Sequence, residues 1–210
     1  CEQGLGDSIQ FSRYLKLIAT TKHPKKIIFR AQLPVVQLLK QLESEDGCYV
    51  EIHNHSYQPT DYDYYIKLLS LPKTLGTTLS NIPSDTPYLF PDAFRSEFWK
   101  RKLNLNKKSI GIVWAGNKDH TLLQKYGVIN TANELENFTE TAAIIDNLDA
   151  VITVDTSVAH LAAAMHKPTY LLIAINPDWR WMLNRIDTPW YPSMRLFRQN
   201  KFPLESLSLI

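Results

Sequence analysis

The sequence predicts an α/β protein with mostly parallel sheets, and two patterns indicate this class. Residues 1–70 alternate between helix-like and strand-like segments, which is typical of a parallel sheet joined by crossover helices. A second alternation runs from residue 110 to residue 173. Within it, residues 151–165 pass directly from an apolar β-branched run into a helix-period pattern, as expected for a βα unit.

The first half opens with a glycine turn at residues 2–7, followed by a helix that we expect to reach about Thr20. Because such a turn normally follows a strand, we expect a strand before Cys1. Pro34 suits the first turn of a second helix that runs to about Leu42. The remaining apolar runs predict strands at residues 26–30, 49–52 and 64–68.

The second half follows a long loop at residues 71–91 and a helix at 92–102. We place a domain boundary in the polar stretch 104–109, giving domains 1–103 and 104–210. The strand at 110–114 is expected to be buried, with Trp114 in the core. Beyond it the sequence predicts a helix at 139–146, a strand at 150–154, a helix at 157–165, a strand at 168–173, an aromatic loop at 176–198 and a short tail.

The stretch between Asn117 and Glu134 is too short for the helix, strand and helix that a complete second α/β domain needs. Either the sheet is reduced here or residues are absent from the sequence near His120 and Thr121, and we expect the latter.

Composition excludes several classes of function. The net charge of +2 gives no electrostatic case for nucleic acid or a membrane surface. No apolar run approaches the length of a transmembrane segment, and no signal peptide is apparent. Two cysteines do not make a disulfide framework, so we expect a cytoplasmic protein. No Cys/His spacing predicts a metal site.

The start of the helix at residue 157 is a candidate anion site. Asp155, Thr156 and Ser157 follow a buried strand, and a helix start there offers free N–H groups and a positive dipole end. His160 shares the face of Thr156, opposite the apolar stripe, so we expect it to look outward. The alternative is that Asp155 or Thr156 only caps the helix and His160 is a surface residue.

Several stretches together carry a family resemblance: residues 2–14, 69–72, 76–79, 113–117, 147–149, 154–162, 177–181 and 189–199. They resemble the glycosyltransferase-like domain found after tetratricopeptide repeats in bacterial proteins, a relative of the ADP-heptose heptosyltransferases of glycosyltransferase family 9. The resemblance implies a GT-B fold, in which two Rossmann-like domains face each other across a cleft. The C-terminal domain then binds the nucleotide-sugar donor.

The resemblance also implies roles for individual residues. Asp7 is the expected general base, a carboxylate that projects into the cleft and deprotonates the acceptor hydroxyl; the alternative is a first-turn acid that only supports its helix. The expected donor site combines a flexible glycine turn, a strand end and the helix start: Gly4, Gly6, Asn117, Asp155, Thr156, Ser157 and His160. Asp155, which repels phosphate, is expected to cap the helix or to orient His160.

Three further residues are weaker candidates for contacts with a ligand. Lys125 resembles a family loop near the nucleotide, although the following glycine is displaced. Asp178 and Trp179 belong to the aromatic loop, whose rings either contact ligand or anchor the loop on the core. One departure stands out: relatives carry a basic, serine-containing segment after Asn117 that helps bind the diphosphate, and this chain lacks it.

The leading hypothesis is therefore an inverting, metal-independent glycosyltransferase that needs no cofactor beyond its nucleotide-diphosphate sugar co-substrate. The acceptor is a hydroxyl of a glycan or a protein, and tetratricopeptide repeats are expected upstream. The alternative is a non-catalytic module that keeps the fold and binds nucleotide, glycan or a protein partner. A different Rossmann-type enzyme is disfavoured because no Gly-x-Gly-x-x-Gly occurs.

Overall fold

The computed structural model describes residues 4–43, 48–105, 107–114 and 127–200. These residues form two parallel sheets with helices between the strands. The helices are α1 (Leu5–Phe11), α2 (Tyr14–Lys22), α3 (Leu33–Leu39), α4 (Leu71–Thr74), α5 (Ala93–Lys102), α6 (Phe138–Asp146) and α7 (Ser157–Ala164). The strands are β1 (Lys26–Ala31), β2 (Tyr49–Asn54), β3 (Ile110–Val113), β4 (Ala150–Val154), β5 (Thr169–Ile173) and β6 (Met194–Arg198).

The helix predicted to run to Thr20 is divided into α1 and α2 at Ser12 and Arg13. The side chains of these two residues donate hydrogen bonds to the last carbonyls of α1: Ser12 Oγ to Ile9 at 2.8 Å and Arg13 Nε to Gln10 at 2.9 Å. Because the side chains occupy carbonyls that the next turn would otherwise use, α1 ends there and α2 begins two residues later.

The first sheet contains β1 and β2, paired in parallel from Lys26 opposite Tyr49. The strand predicted at residues 64–68 is wrong. Tyr64 is 94% exposed, and Leu68 begins a short 3₁₀ helix instead. Residues 64–68 therefore pair with no neighbouring described strand and pack on no surface that would bury alternate side chains.

The second sheet has the order β3-β4-β5-β6, with every pair parallel. Because each strand adds on the same side of the previous one, right-handed crossovers place α6 and α7 on one face of the sheet. That face is buried, as Val151, Leu171 and Leu196 show. The prediction that residues 176–198 form one continuous loop is wrong, because β6 begins at Met194.

The opposite face of the second sheet is apolar and open. Ile112, Leu172 and Phe197 are 52%, 46% and 45% exposed. The prediction that residues 110–114 form a buried strand with Trp114 in the core is therefore wrong: β3 lies at one end of the strand order, and Trp114 is 45% exposed. The apolar sequence of β3 fits a sheet face that the described helices leave uncovered.

The two halves of the chain pack against each other through helices. α1 contacts α7, while α3 and α5 contact α6, and buried side chains from both halves join one hydrophobic cluster. The α/β class and its parallel sheets are confirmed. The boundary at 103/104 and the GT-B arrangement remain predictions. No helix in the described ranges is long and apolar enough to span a bilayer.

Candidate functional site

The turn between β4 and α7 is open to solvent. Thr156 is the N-cap residue, in extended conformation, and Ser157 is the first helical residue; both are half-buried, and Asp155 is exposed. No side chain caps the helix, and the Thr156 hydroxyl instead bonds the Thr153 hydroxyl at 3.1 Å. The alternative that Asp155 or Thr156 serves as a side-chain cap is therefore wrong. No side chain caps the N–H groups of the first turn, and that of Ala159 bonds the Thr156 carbonyl at 3.1 Å.

Asp155 contacts Trp181 rather than the helix start. Its Oδ2 accepts a hydrogen bond from the Trp181 indole at 2.8 Å. The Trp181 ring in turn stacks on the ring of His160, with centroids 5.3 Å apart and planes 25° apart. Asp155 thus orients His160 only through Trp181. Desolvation raises the pKa of Asp155, and the indole hydrogen bond opposes this shift.

His160 is buried, so the expectation that it looks outward is wrong. It is 5% exposed, and its Nδ1 shares a hydrogen bond of 2.9 Å with the hydroxyl of Tyr191. Burial first, and then the positive charges of Arg180 and Arg13, lower the pKa of His160 from 6.5 to about 3. The imidazole is therefore neutral, and it reaches a ligand only if the elements around it move apart.

Gly6 explains how His160 becomes enclosed. α1 lies so close to α7 that a Cβ added to Gly6 would be 2.6 Å from Cδ2 of His160 and 3.5 Å from Cα of Ser157. Neither Gly4 nor Gly6 has a positive φ, so this turn does not need glycine for its backbone conformation. Gly6 is required here because the two helices approach closely, which only a residue without a side chain permits.

Asp7 lies within this helix contact and is 8% exposed. Its Oδ2 accepts a hydrogen bond from the N–H of Gly4 at 2.8 Å, and its Oδ1 forms an ion pair with Nη2 of Arg180. The carboxylate expected to project into an open cleft is instead largely enclosed. The first-turn support that was the alternative for Asp7 is present, through Gly4.

Arg180 links the two halves of the chain at this point. Besides Asp7, it donates from Nε to Gln10 Oε1 at 2.6 Å and from Nη1 to Asp178 Oδ1 at 2.9 Å. Its side chain is 9% exposed, so all three nitrogen atoms of a buried guanidinium have acceptors. Asp7 and the 155–160 segment, which are about 150 residues apart in the sequence, are thereby brought together at one site.

Arg13 is a second buried cation, and the sequence alone predicted no role for it. It donates from Nη1 to the carbonyls of Trp190 at 2.7 Å and Pro83 at 2.8 Å. Its guanidinium lies 4.7 Å from the ring centre of Tyr88 and 4.5 Å from that of Tyr191. Arg13 lies in the glycine-turn stretch, which could have marked it as a candidate site residue. The carbonyls that it binds lie far along the chain, so its contacts were not predictable from that stretch.

The aromatic loop mostly anchors itself on the core, as one alternative predicted. Trp181, Trp190 and Tyr191 are at most 3% exposed. Trp179 is the exception at 57%, and Asp178 beside it is exposed as well. Asn117 and Lys125 fall outside the described residues, so their predicted roles have no structural account.

A groove of about 440 Å³ lies beside the candidate site, at the carboxyl ends of the strands of the second sheet. It is lined by Val154, Leu172, Ala174, Phe197 and Gln199, among others. Open parallel sheets bind ligands outside this end of their strands. Among the described residues, no group of three or more His, Cys, Asp or Glu side chains could hold a metal ion.

Comparison with known proteins gives two matches. Residues 122–190, about a third of the chain, match the model of glycosyltransferase family 9 (heptosyltransferase). The fold resembles the crystal structure of the glycosyl transferase family 9 from Veillonella parvula DSM 2008 with a TM-score of 0.58 and 10% sequence identity, over 94% of this chain and 84% of that chain.

No curated protein matches the chain. The predicted resemblance to glycosyltransferase family 9 is confirmed by the two matches, whereas the link to tetratricopeptide repeats stays a prediction. The chain is thus similar to glycosyltransferase family 9 in sequence over residues 122–190 and in fold over most of its length.

Proposed function

We propose that this protein is an inverting glycosyltransferase that moves a sugar from a nucleotide-diphosphate donor to a hydroxyl acceptor without a metal ion. One observation carries the proposal: Asp7 and the open start of α7 meet at a single site, joined by Gly6, His160 and Arg180. A base and a leaving-group site must be this close for one displacement to use both.

The start of α7 is the proposed site for the donor diphosphate. Its first-turn N–H groups lack a side-chain cap, and the Thr156 and Ser157 side chains are accessible. As the bond between the anomeric carbon and the diphosphate breaks, negative charge grows on the distal phosphate. The N–H groups and the dipole of α7 stabilise that charge.

Asp7 is the proposed base. The acceptor oxygen attacks the anomeric carbon from the side opposite the leaving diphosphate, and Asp7 takes the hydroxyl proton. Each carboxylate oxygen of Asp7 already accepts one hydrogen bond, from Gly4 or from Arg180. Each oxygen keeps a second acceptor position for the hydroxyl. Because Asp7 is only 8% exposed, the acceptor reaches it when α1 moves away from α7.

A second candidate function is a non-catalytic binding module with the same fold. The ion pair between Asp7 and Arg180 favours it, since it occupies the carboxylate that catalysis needs. The burial of His160 favours it too, because a neutral, enclosed imidazole does not contact a phosphate.

Thermal denaturation with ADP, UDP and GDP, followed by transfer assays with sugars linked to the nucleotide that binds, separates the two functions. A ligand at 100 times its Kd adds about 2.7 kcal/mol to the free energy of unfolding. If the protein is an enzyme, Asp7→Asn keeps this shift and loses transfer. Asp187→Asn is the matched control, because Asp187 pairs with Arg185 on the surface.

The outcomes are distinct. Binding without any release of nucleoside diphosphate from a nucleotide sugar identifies the binding module. If none of the nucleotides stabilises the protein, the proposed donor site at α7 is contradicted, both for a transferase and for a nucleotide-binding module. Full transfer activity in Asp7→Asn removes Asp7 from the mechanism.

A further inference from the structure

Trp179 differs from the other aromatic residues of its loop. Its indole is 57% exposed, whereas Trp181 and Trp190 are 1% and 3% exposed. The exposed ring is nevertheless held in place: Trp190 contacts it edge-on at 6.0 Å, with planes 81° apart, and the Arg180 guanidinium lies 5.0 Å from its centre. A large apolar ring that is both fixed and open to solvent has the properties of a binding platform.

The charges around Trp179 favour an uncharged ligand. Asp178, adjacent in sequence, is exposed, and one of its oxygens bonds Arg180. Asp7 also pairs with Arg180, and Asp155 holds the neighbouring Trp181. Asp7 and Asp178 thus share one buried guanidinium, so the surface beside Trp179 offers a ligand carboxylate oxygens rather than a free cation. Free carboxylate oxygens accept hydrogen bonds from hydroxyl groups.

Two buried donors of the same cluster have no acceptor among the described residues. One is Nε1 of Trp190, the ring that supports Trp179, and the other is Nε2 of Gln10, whose Oε1 binds Arg180. Buried donors without a partner are rare in folded proteins and call for a specific explanation. A ligand or water oxygen that enters this cluster supplies the acceptor that these groups lack.

We propose that Trp179 and Asp178 form a subsite for a neutral sugar of the acceptor, next to Asp7. The apolar C–H face of a pyranose packs on the exposed indole, and its hydroxyls donate to the carboxylate of Asp178. This assignment rests on the proposed transferase function and makes the acceptor a glycan rather than a protein side chain. The sequence left open which ligand Trp179 and Asp178 contact, and this assignment places them at the acceptor.

Binding can be measured without any transfer activity. The indole N–H signals of the tryptophans resolve by NMR, and Trp179→Phe assigns the signal of Trp179. The probes are neutral methyl glycosides of glucose, galactose and mannose, added separately from ADP and UDP. We expect at least one glycoside to shift the Trp179 signal, and neither nucleotide to do so.

Matched variants test whether the subsite is specific. Trp179→Ala and Asp178→Asn, both at exposed side chains, should weaken glycoside binding about tenfold or more while leaving the fold intact. Phe94→Ala is the control, because Phe94 is an 84% exposed aromatic residue on a different element, α5. The control variant should bind the glycoside like the unmodified protein.

The results distinguish this inference from the proposed function. No shift with any glycoside overturns the sugar subsite, as does equal weakening in Phe94→Ala. A shift of the Trp179 signal on adding ADP or UDP also overturns the sugar subsite, because Trp179 would then contact the donor. Glycoside binding at Trp179 in a protein that binds no nucleotide supports the subsite and contradicts the transferase.

Discussion

Replacing Gly6 by alanine should destabilise the protein, although alanine favours a helix more than glycine does. The helix preference alone would stabilise α1 by about 0.8–1.0 kcal/mol. Against it, the new Cβ would be 2.6 Å from Cδ2 of His160. The His160 ring has no easy way to shift, because it stacks on Trp181 and its Nδ1 bonds Tyr191.

Forcing an extra carbon into a packed contact typically costs about 1–3 kcal/mol. Because stacking and a hydrogen bond hold the His160 ring, we take the upper part of this range, about 2–3 kcal/mol. With the helix preference subtracted, we expect Gly6→Ala to lower the free energy of unfolding by about 1–2 kcal/mol. Urea denaturation followed by far-UV circular dichroism measures this difference directly.

A double-mutant comparison isolates the contact. In a His160→Ala background the ring is absent, so Gly6→Ala should become neutral or stabilising, by up to about 1 kcal/mol. The reasoning is refuted if Gly6→Ala alone leaves the protein as stable as before or more stable. That result would mean that α1 and α7 do not approach each other as closely as described.

Three further predictions concern stability. Arg180→Gln should lower the free energy of unfolding, measured by urea denaturation, by about 3–5 kcal/mol, because it leaves the buried Asp7 carboxylate unpaired. Adding Asp7→Asn should recover most of that loss. An unchanged stability of Arg180→Gln would show that the pair is not buried. Leu171→Ala, on the covered sheet face, should lower the free energy of unfolding by about 2–5 kcal/mol, whereas Leu172→Ala, on the open face, should lower it by about 1 kcal/mol or less. Equal losses in the two variants would show that both faces are covered. The pKa of His160 is about 3 in the folded state against 6.5 as the ordinary value, so the unfolded chain binds its proton first as pH falls. Between pH 6.5 and about pH 3, this residue should therefore lower the free energy of unfolding as pH falls, with a slope that approaches about 1.4 kcal/mol per pH unit. The pH titration of a His160→Gln variant, in which this contribution is absent, checks it.

Local patterns made part of the site predictable. The β4–α7 junction follows from an apolar β-branched run that passes at once into a 3.6-residue period. The apolar stripe of that period consists of Val158, Leu161, Ala162 and Met165. Leu161 and Ala162 are buried as it predicts, whereas Val158 and Met165 are half-buried. β6 was harder to predict. Its side chains alternate between buried and exposed positions, but the apolar Phe197 occupies an exposed position, so the sequence itself does not alternate.

Burial at the site depends on contacts that no local pattern contains. His160 lies on the polar side of its own helix, and it is enclosed only because α1 and Tyr191 approach from distant parts of the chain. The pairing of Asp7 with Arg180 spans 173 positions. Likewise, the exposed face of β3 lies opposite α6 and α7, and the strand order, rather than the sequence of β3, decides on which face these helices lie.

The central claim is that the start of α7 binds a nucleoside diphosphate beside Asp7. Backbone amide NMR of the protein during titration with ADP, UDP and GDP tests it most directly. We expect at least one of these nucleotides to shift the amide signals of Ser157 and its first-turn neighbours at saturable concentrations. If every nucleotide leaves those amides unchanged, or shifts only signals from residues elsewhere, the assignment of this helix start as the leaving-group site is contradicted.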